Sequence, residues 1–112
     1  MGTELHEKKR PLDRSMYDFI ITSAVVGKAV REVVEFSVLQ IYSKGEKTQK
    51  IIMFDTAHGC CHVHRFCRGP HPKAEKHLDG EISARVFREC IEDVKKNWGK
   101  YGEFYFRRLL YE

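Results

Sequence analysis

A single apolar stripe between residues 82 and 98 sets the main condition on how this 112-residue chain can fold. Its members fall at i, i+4, i+5, i+8, i+9, i+12 and i+16, which is the spacing of an amphipathic helix. Ser83 or Asp79 can cap the start of this helix, and Gly99 can end it. Such a stripe has to be buried against another layer of the protein. The stripe consists of Ile82, Val86, Phe87, Cys90, Ile91, Val94 and Trp98.

The layer that the sequence offers to this helix is a β-sheet. Four segments rich in β-branched and aromatic residues precede the helix, and turn-forming residues separate them. The segments are 18–26, 30–42, 50–54 and 61–67, and the turns are 27–28, 43–47 and 55–59. Consecutive strands joined by short turns form an antiparallel meander. We therefore predict an α+β fold, with a meander of four to five strands packed against one main amphipathic helix.

The two ends of the chain give weaker patterns. Residues 103–111 are aromatic and basic, and we predict a fifth strand there, with a short helix as the alternative. Residues 1–14 are polar and charged, which indicates a flexible tail. The length fits one domain, and we assign it to residues 15–112.

Composition restricts the setting of the protein. The chain has no apolar run long enough for a transmembrane helix and no apolar segment typical of a secretory signal. We therefore expect a cytoplasmic protein that makes no membrane contact, with its four cysteines as thiols,. The formal net charge of +4 permits binding to RNA without requiring it,.

Candidate catalytic residues are concentrated in residues 54–67, which hold three of the six histidines and three of the four cysteines. Because side chains alternate along a strand, His62 and His64 are predicted to share one face. His58, at the preceding turn, can join them. Asp55 can orient one imidazole ring and fix its tautomer. We predict that these four residues form a catalytic or metal-binding cluster.

Basic residues continue from the cluster into the following loop. We expect them to hold a phosphate-bearing substrate. All but Arg65 can line the rim of the histidine face, since strand alternation turns Arg65 to the opposite face. These candidates are Arg65, Arg68, His71, Lys73 and His77. Arg107 and Arg108 also lie among aromatic residues, a pattern that suits single-stranded nucleic acid but equally suits a strand with one buried face.

The segment from Phe54 to His64 resembles a motif of the TumE-type toxins of toxin–antitoxin systems and of similar small proteins. The shared features are an aspartate with clustered histidines, a Pro/His/Lys-rich loop from Gly69 to His77, and a following helix. Thr56 stands where that motif often has asparagine, and the paired histidines are split here. The resemblance implies a cytoplasmic toxin-like protein that acts on RNA and is neutralised by an antitoxin protein.

Three hypotheses follow from the sequence. The first is a histidine-dependent endoribonuclease that needs no cofactor, with His58 and His64 as proton carriers and His62 positioning them. The second is a zinc-binding module that uses His58, Cys60, His62 and His64. The third is a non-catalytic interaction domain whose aromatic C-terminal segment pairs with a partner or with a second copy in a homodimer.

Overall fold

The computed structural model describes residues 2–28 and 32–110 and shows a six-stranded antiparallel sheet packed against one long helix. The strands lie side by side in chain order, so the sheet is a meander. The predicted α+β class is confirmed, with one strand more than the four to five predicted. The elements are β1 (Thr3–Pro11), β2 (Asp18–Gly27), β3 (Val33–Lys44), β4 (Lys47–Asp55), β5 (His62–Arg65), β6 (Glu75–Lys76) and α1 (Ala84–Leu110).

The core lies between α1 and one face of the sheet, which we call the helix face; the opposite side is the open face. Phe54 of β4 pairs with Val63 of β5, and both side chains are buried on the helix face. The Phe87 ring of α1 packs against the Phe36 ring of β3, with centroids 5.2 Å apart. Burying one such large side chain contributes about 1.5–3 kcal/mol. Together these contacts account for the predicted apolar stripe, whose deepest members are Val86, Cys90 and Val94.

One polar side chain joins the sheet to the middle of the helix. Gln40 of β3 is fully buried, and its Nε2 donates a hydrogen bond to the Trp98 carbonyl at 2.9 Å. At the helix start, the Ser83 hydroxyl accepts a hydrogen bond from the Val86 amide at 3.2 Å. Of the two predicted caps, Ser83 and Asp79, it is therefore Ser83 that caps the helix.

The prediction of a flexible tail over residues 1–14 is corrected by β1. This strand pairs with β2 along its whole length, from Thr3 opposite Gly27 to Pro11 opposite Phe19. Every residue of β1 is exposed, and most are charged or polar. A strand with no buried face has no apolar alternation, so its residues carry no pattern from which a strand could be predicted. The second predicted strand, residues 30–42, corresponds to β3. Its predicted first residue, Val30, lies outside the described residues.

The C-terminal segment is also corrected. Residues 103–110 continue α1 instead of forming a fifth strand, so the helical alternative is the right one. The helix runs through Gly99 and Gly102, although each costs about 1 kcal/mol relative to alanine,. Packing against the sheet offsets that cost, since the Phe106 and Tyr42 rings meet at 5.0 Å. No helix in the described part of the chain has the length and apolar character that crossing a membrane requires.

Candidate functional site

A buried hydroxyl fixes the corner that carries Asp55. The Thr56 Oγ1 accepts a hydrogen bond from the Phe36 amide at 3.0 Å and lies 3.3 Å from the Phe36 carbonyl oxygen. The Thr56 amide donates to that same carbonyl at 3.2 Å. Where the chain leaves the sheet, the hydroxyl thus accepts the Phe36 amide hydrogen bond in place of a carbonyl of the neighbouring strand. As a result, Asp55 is held in strand geometry at the very end of β4.

Strand register brings an aspartate and two histidines onto the open face. Asp55 lies opposite His62, and Met53 lies opposite His64. Since Phe54 faces the helix, its neighbours in the strand face away from it. The shared face of His62 and His64 is therefore as the sequence predicts.

Asp55 and His64 form the closest acidic–basic pair of this group. His64 Nε2 lies 3.4 Å from Asp55 Oδ1, and the two side chains are only 23% and 17% exposed. This separation is within ion-pair range but longer than a well-formed hydrogen bond. Asp55 Oδ1 is buried and accepts no hydrogen bond within the described residues. A carboxylate in this position favours the His64 tautomer that carries its proton on Nε2, which leaves Nδ1 for a ligand.

His62 has a different environment from His64. Its Nδ1 donates a hydrogen bond to the Cys60 carbonyl at 3.0 Å. The Cys60 sulfur lies 3.6 Å from Nδ1 and 3.5 Å from Nε2 of the same ring. The ring is therefore held against Cys60, which is a structural role. The Cys60 sulfur and a ring nitrogen of His62 are also a potential pair of metal ligands.

The predicted convergence of the three histidines is not found. His58 sits in a tight 3₁₀ turn, Ala57–Gly59, where its backbone has φ of 69° and its side chain is exposed. It lines a groove of about 410 Å³ beside Asp55, whereas His64 lines a different cleft. Among residues 2–28 and 32–110, no three His, Cys, Asp or Glu side chains lie close enough together to hold one metal ion.

His64 instead shares a cleft with His71. This cleft, which we call the histidine cleft, has a volume of about 610 Å³. It lies where the start of β4, β5, the loop after β5 and the second half of α1 meet. The predicted candidate His71 reaches it from the proline-flanked loop. The lining residues are Thr48, Gln49, Lys50, His64, Phe66, Pro70, His71, Pro72, Tyr105 and Arg108.

The histidine cleft has the chemistry of an anion site. Its lining includes two histidines, Lys50 and Arg108, and none of the lining residues within 2–28 and 32–110 is acidic. The carboxylate of Asp55 lies 3.4 Å from Nε2 of His64. Cationic and imidazole N–H groups are the donors that bind phosphate oxygens.

Two of the predicted phosphate-binding arginines lie elsewhere. Arg65 stands opposite Ile52, which places it on the helix face, and Arg68 forms an ion pair with Glu75. Both line a separate cleft of about 290 Å³ beside Tyr101. The position of Arg65 on the face opposite His64 is as predicted. The predicted place of Arg68 at the rim of the histidine face is wrong, because a 3₁₀ turn follows β5 and Arg68 pairs with Glu75.

His77 is also on the helix face. Its ring packs on Phe54 with centroids 4.8 Å apart. Burial lowers the pKa of His77, the charge of Arg65 lowers it further, and the charge of Asp93 opposes this shift. His77 is therefore a core-lining residue and not a rim residue, while the remaining candidate, Lys73, is exposed on the loop before β6.

Two of the four cysteines are buried in the core. Cys61 and Cys90 are fully buried and form a side-chain hydrogen bond across the sheet–helix interface. That hydrogen bond and burial both raise the pKa of Cys90. The interpretation of Cys90 as part of the core is confirmed.

Sequence reasoning missed the contribution of distant residues to the histidine cleft. Lys50 is the first residue of the predicted strand 50–54, and its position in the first half of β4 brings it to the histidine cleft. Tyr105 and Arg108 arrive because α1 continues past Gly99. The aromatic and basic composition of the C-terminal segment was the only signal for them.

Comparison with known proteins gives a family but no activity. The family model described as a domain of unknown function, DUF7718, matches residues 7–109, which is nearly the whole chain. No curated protein and no solved structure matches the chain significantly.

Proposed function

Since the chain belongs to the DUF7718 family, whose description states no activity, we propose its function from its own geometry: cleavage of RNA in the histidine cleft. The observation that carries this proposal is that His64 and His71 line the same cationic cleft, with Asp55 beside His64. Two imidazoles beside a phosphate site are the groups that acid–base cleavage of a phosphodiester requires.

The proposed reaction needs no group beyond the chain and its substrate. One imidazole removes the proton of a ribose 2′-hydroxyl, and the 2′-oxygen then bonds to the adjacent phosphorus. The bond from phosphorus to the 5′-oxygen breaks, and the second imidazole gives that oxygen a proton. The products are a 2′,3′-cyclic phosphate and a free 5′-hydroxyl. Imidazole suits both steps because it gains and loses a proton near neutral pH.

The surrounding side chains support this assignment. Asp55 Oδ1 lies 3.4 Å from His64 Nε2 and orients that ring. Lys50 and Arg108 provide positive charge for the phosphate oxygens, whose negative charge increases as the 2′-oxygen attacks,. His58 and His62 have no part in this arrangement, which replaces the pair expected from sequence, His58 and His64, by His64 and His71.

The test is cleavage of a single-stranded RNA by the wild type and by single variants. We expect His64→Ala and His71→Ala each to slow cleavage by about 10²- to 10⁴-fold, the usual contribution of a general acid or base. His6→Ala is the matched control. Because His6 is exposed on β1, this variant should cleave RNA like the wild type. Wild-type rates in His71→Ala would refute the proposal.

A metal arm separates the zinc hypothesis from the metal-independent one. The contact between Cys60 and His62 provides two neighbouring ligand atoms for zinc. We expect cleavage to persist in EDTA. The zinc module would be favoured instead if EDTA abolished cleavage, if added zinc restored it, and if His62→Ala showed no cleavage.

The resemblance to TumE-type toxins extends this proposal to the cell. A ribonuclease of this kind would act in the cytoplasm, where its RNA substrates are, and would need a protein antitoxin to neutralise it. Expression from an inducible promoter tests this directly. We expect growth arrest with the wild-type gene and normal growth with the His71→Ala gene.

A further inference from the structure

Four aromatic rings form a continuous series that begins in the histidine cleft. Tyr105 lines the cleft, and its ring centroid lies 5.2 Å from that of Phe106. Phe106 then meets Tyr42 of β3 at 5.0 Å, and Tyr42 meets Tyr17, just before β2, at 5.9 Å. We call this series the aromatic ladder. Its rings come from three distant parts of the chain, so the sequence alone did not reveal it.

The two ends of the aromatic ladder are accessible. Tyr17 is 39% exposed, and Tyr105 is half-buried at the wall of the cleft. The two inner rings, Tyr42 and Phe106, fill the space between sheet and helix. Each outer ring is in contact with an inner ring, which reduces the ordering cost of binding a planar ligand,.

Positive charge accompanies the aromatic ladder at both ends. The Lys44 ammonium lies 5.5 Å from the centroid of the Tyr17 ring, and Lys50 lines the histidine cleft. Lys47 lies directly opposite Lys44 in the hairpin that joins β3 to β4. Asp18 is the cross-strand partner of Tyr42, so it lies beside that ring and would repel a phosphate there,. The charges thus favour a polyanion that passes along the lysine side.

We infer that the aromatic ladder is a base-stacking surface for single-stranded RNA that leads out of the histidine cleft. Unpaired bases stack on aromatic side chains while lysines neutralise the phosphates between them. Double-stranded RNA is excluded from this mode of binding, because its bases are already stacked on one another. The inference rests on the proposed function for the direction of the strand, but base stacking is measurable without cleavage.

The experiment measures binding of 2′-O-methyl RNA, which lacks the free 2′-hydroxyl and is not cleaved. A labelled pentanucleotide reaches from the cleft towards Tyr17, whereas a dinucleotide stays in the cleft. We expect the pentanucleotide to bind more tightly than the dinucleotide. In Tyr17→Ala this advantage should shrink about tenfold, the usual effect of removing one stacking ring. Fluorescence anisotropy measures all these affinities.

Two matched variants complete the test. Tyr17→Phe keeps the ring and should bind the pentanucleotide like the wild type. Leu5→Ala removes an apolar side chain from β1 that is more exposed than Tyr17, at 59% against 39%, and this variant should also bind normally. The inference is overturned if Tyr17→Ala keeps the full advantage, if the wild type shows no advantage, or if a duplex of the same sequence binds equally well. Failure of the cleavage assay alone leaves these binding results readable, so the two proposals fail separately.

Discussion

Replacing Thr56 with valine removes one hydroxyl and nearly no volume, so it tests the corner that carries Asp55. The hydroxyl accepts a hydrogen bond from the Phe36 amide, and Thr56 is only 6% exposed. Valine leaves that buried amide without an acceptor, which costs about 1–3 kcal/mol. Valine also adds a methyl group in place of the hydroxyl, which returns a part of this cost. We expect Thr56→Val to lower the free energy of unfolding by about 2 kcal/mol.

The assay is thermal unfolding followed by circular dichroism. For a domain of this size, a loss of about 2 kcal/mol corresponds to a fall in Tm of about 8 °C. Thr56→Ser is the matched control, because it keeps the hydroxyl and loses only a methyl group, and its Tm should fall less. A Tm for Thr56→Val within about 2 °C of the wild type would show that the hydroxyl does not hold this corner.

Two further predictions concern the packing around the site. Because burial lowers the pKa of His77 below its ordinary value of 6.5, the unfolded chain binds more protons on acidification, and stability should fall as pH drops below about 6.5,. His77→Phe keeps a ring against Phe54 and should flatten this part of the Tm–pH curve; an unchanged slope would assign it to other groups. Gly80→Ala should lower Tm more than Gly45→Ala, since both have positive φ but only at Gly80 would the added Cβ come within 3.0 Å of the Cys60 side chain,. Equal losses would exclude that contact as a source of the effect.

The parts of the fold with a buried face could be predicted from sequence. Strand β2 was predicted almost to its ends, and the helix stripe was correct, because both place apolar residues at regular intervals. Strand β1 has no buried residue and left no such pattern. The end of α1 was misassigned because Phe and Tyr favour strands and glycine usually ends helices. Ring contacts with Tyr42, which no local pattern records, decide that segment.

The candidate site was predictable only in its local part. The face shared by His62 and His64 follows from strand alternation, and Asp55 lies beside His64 because of strand register. The meeting of His64 with His71 depends on the path of a loop with two prolines. Helix length decides whether Arg108 reaches the cleft. Both are tertiary properties, so the sequence placed the candidate residues near one another without indicating which of them share a cavity.

The two halves of helix α1 differ in how deeply their side chains are buried, and the histidine cleft is lined by the less buried half. All three of its fully buried side chains precede Trp98, where Gln40 also binds. Beyond that point come two glycines and a stretch whose outer leucine, Leu110, is 80% exposed. Fraying should therefore begin at this end and carry one wall of the cavity with it. A substrate that bridges the wall to the sheet would pin the last turns in place, so occupancy of the cleft should be readable as slower amide exchange far along the helix.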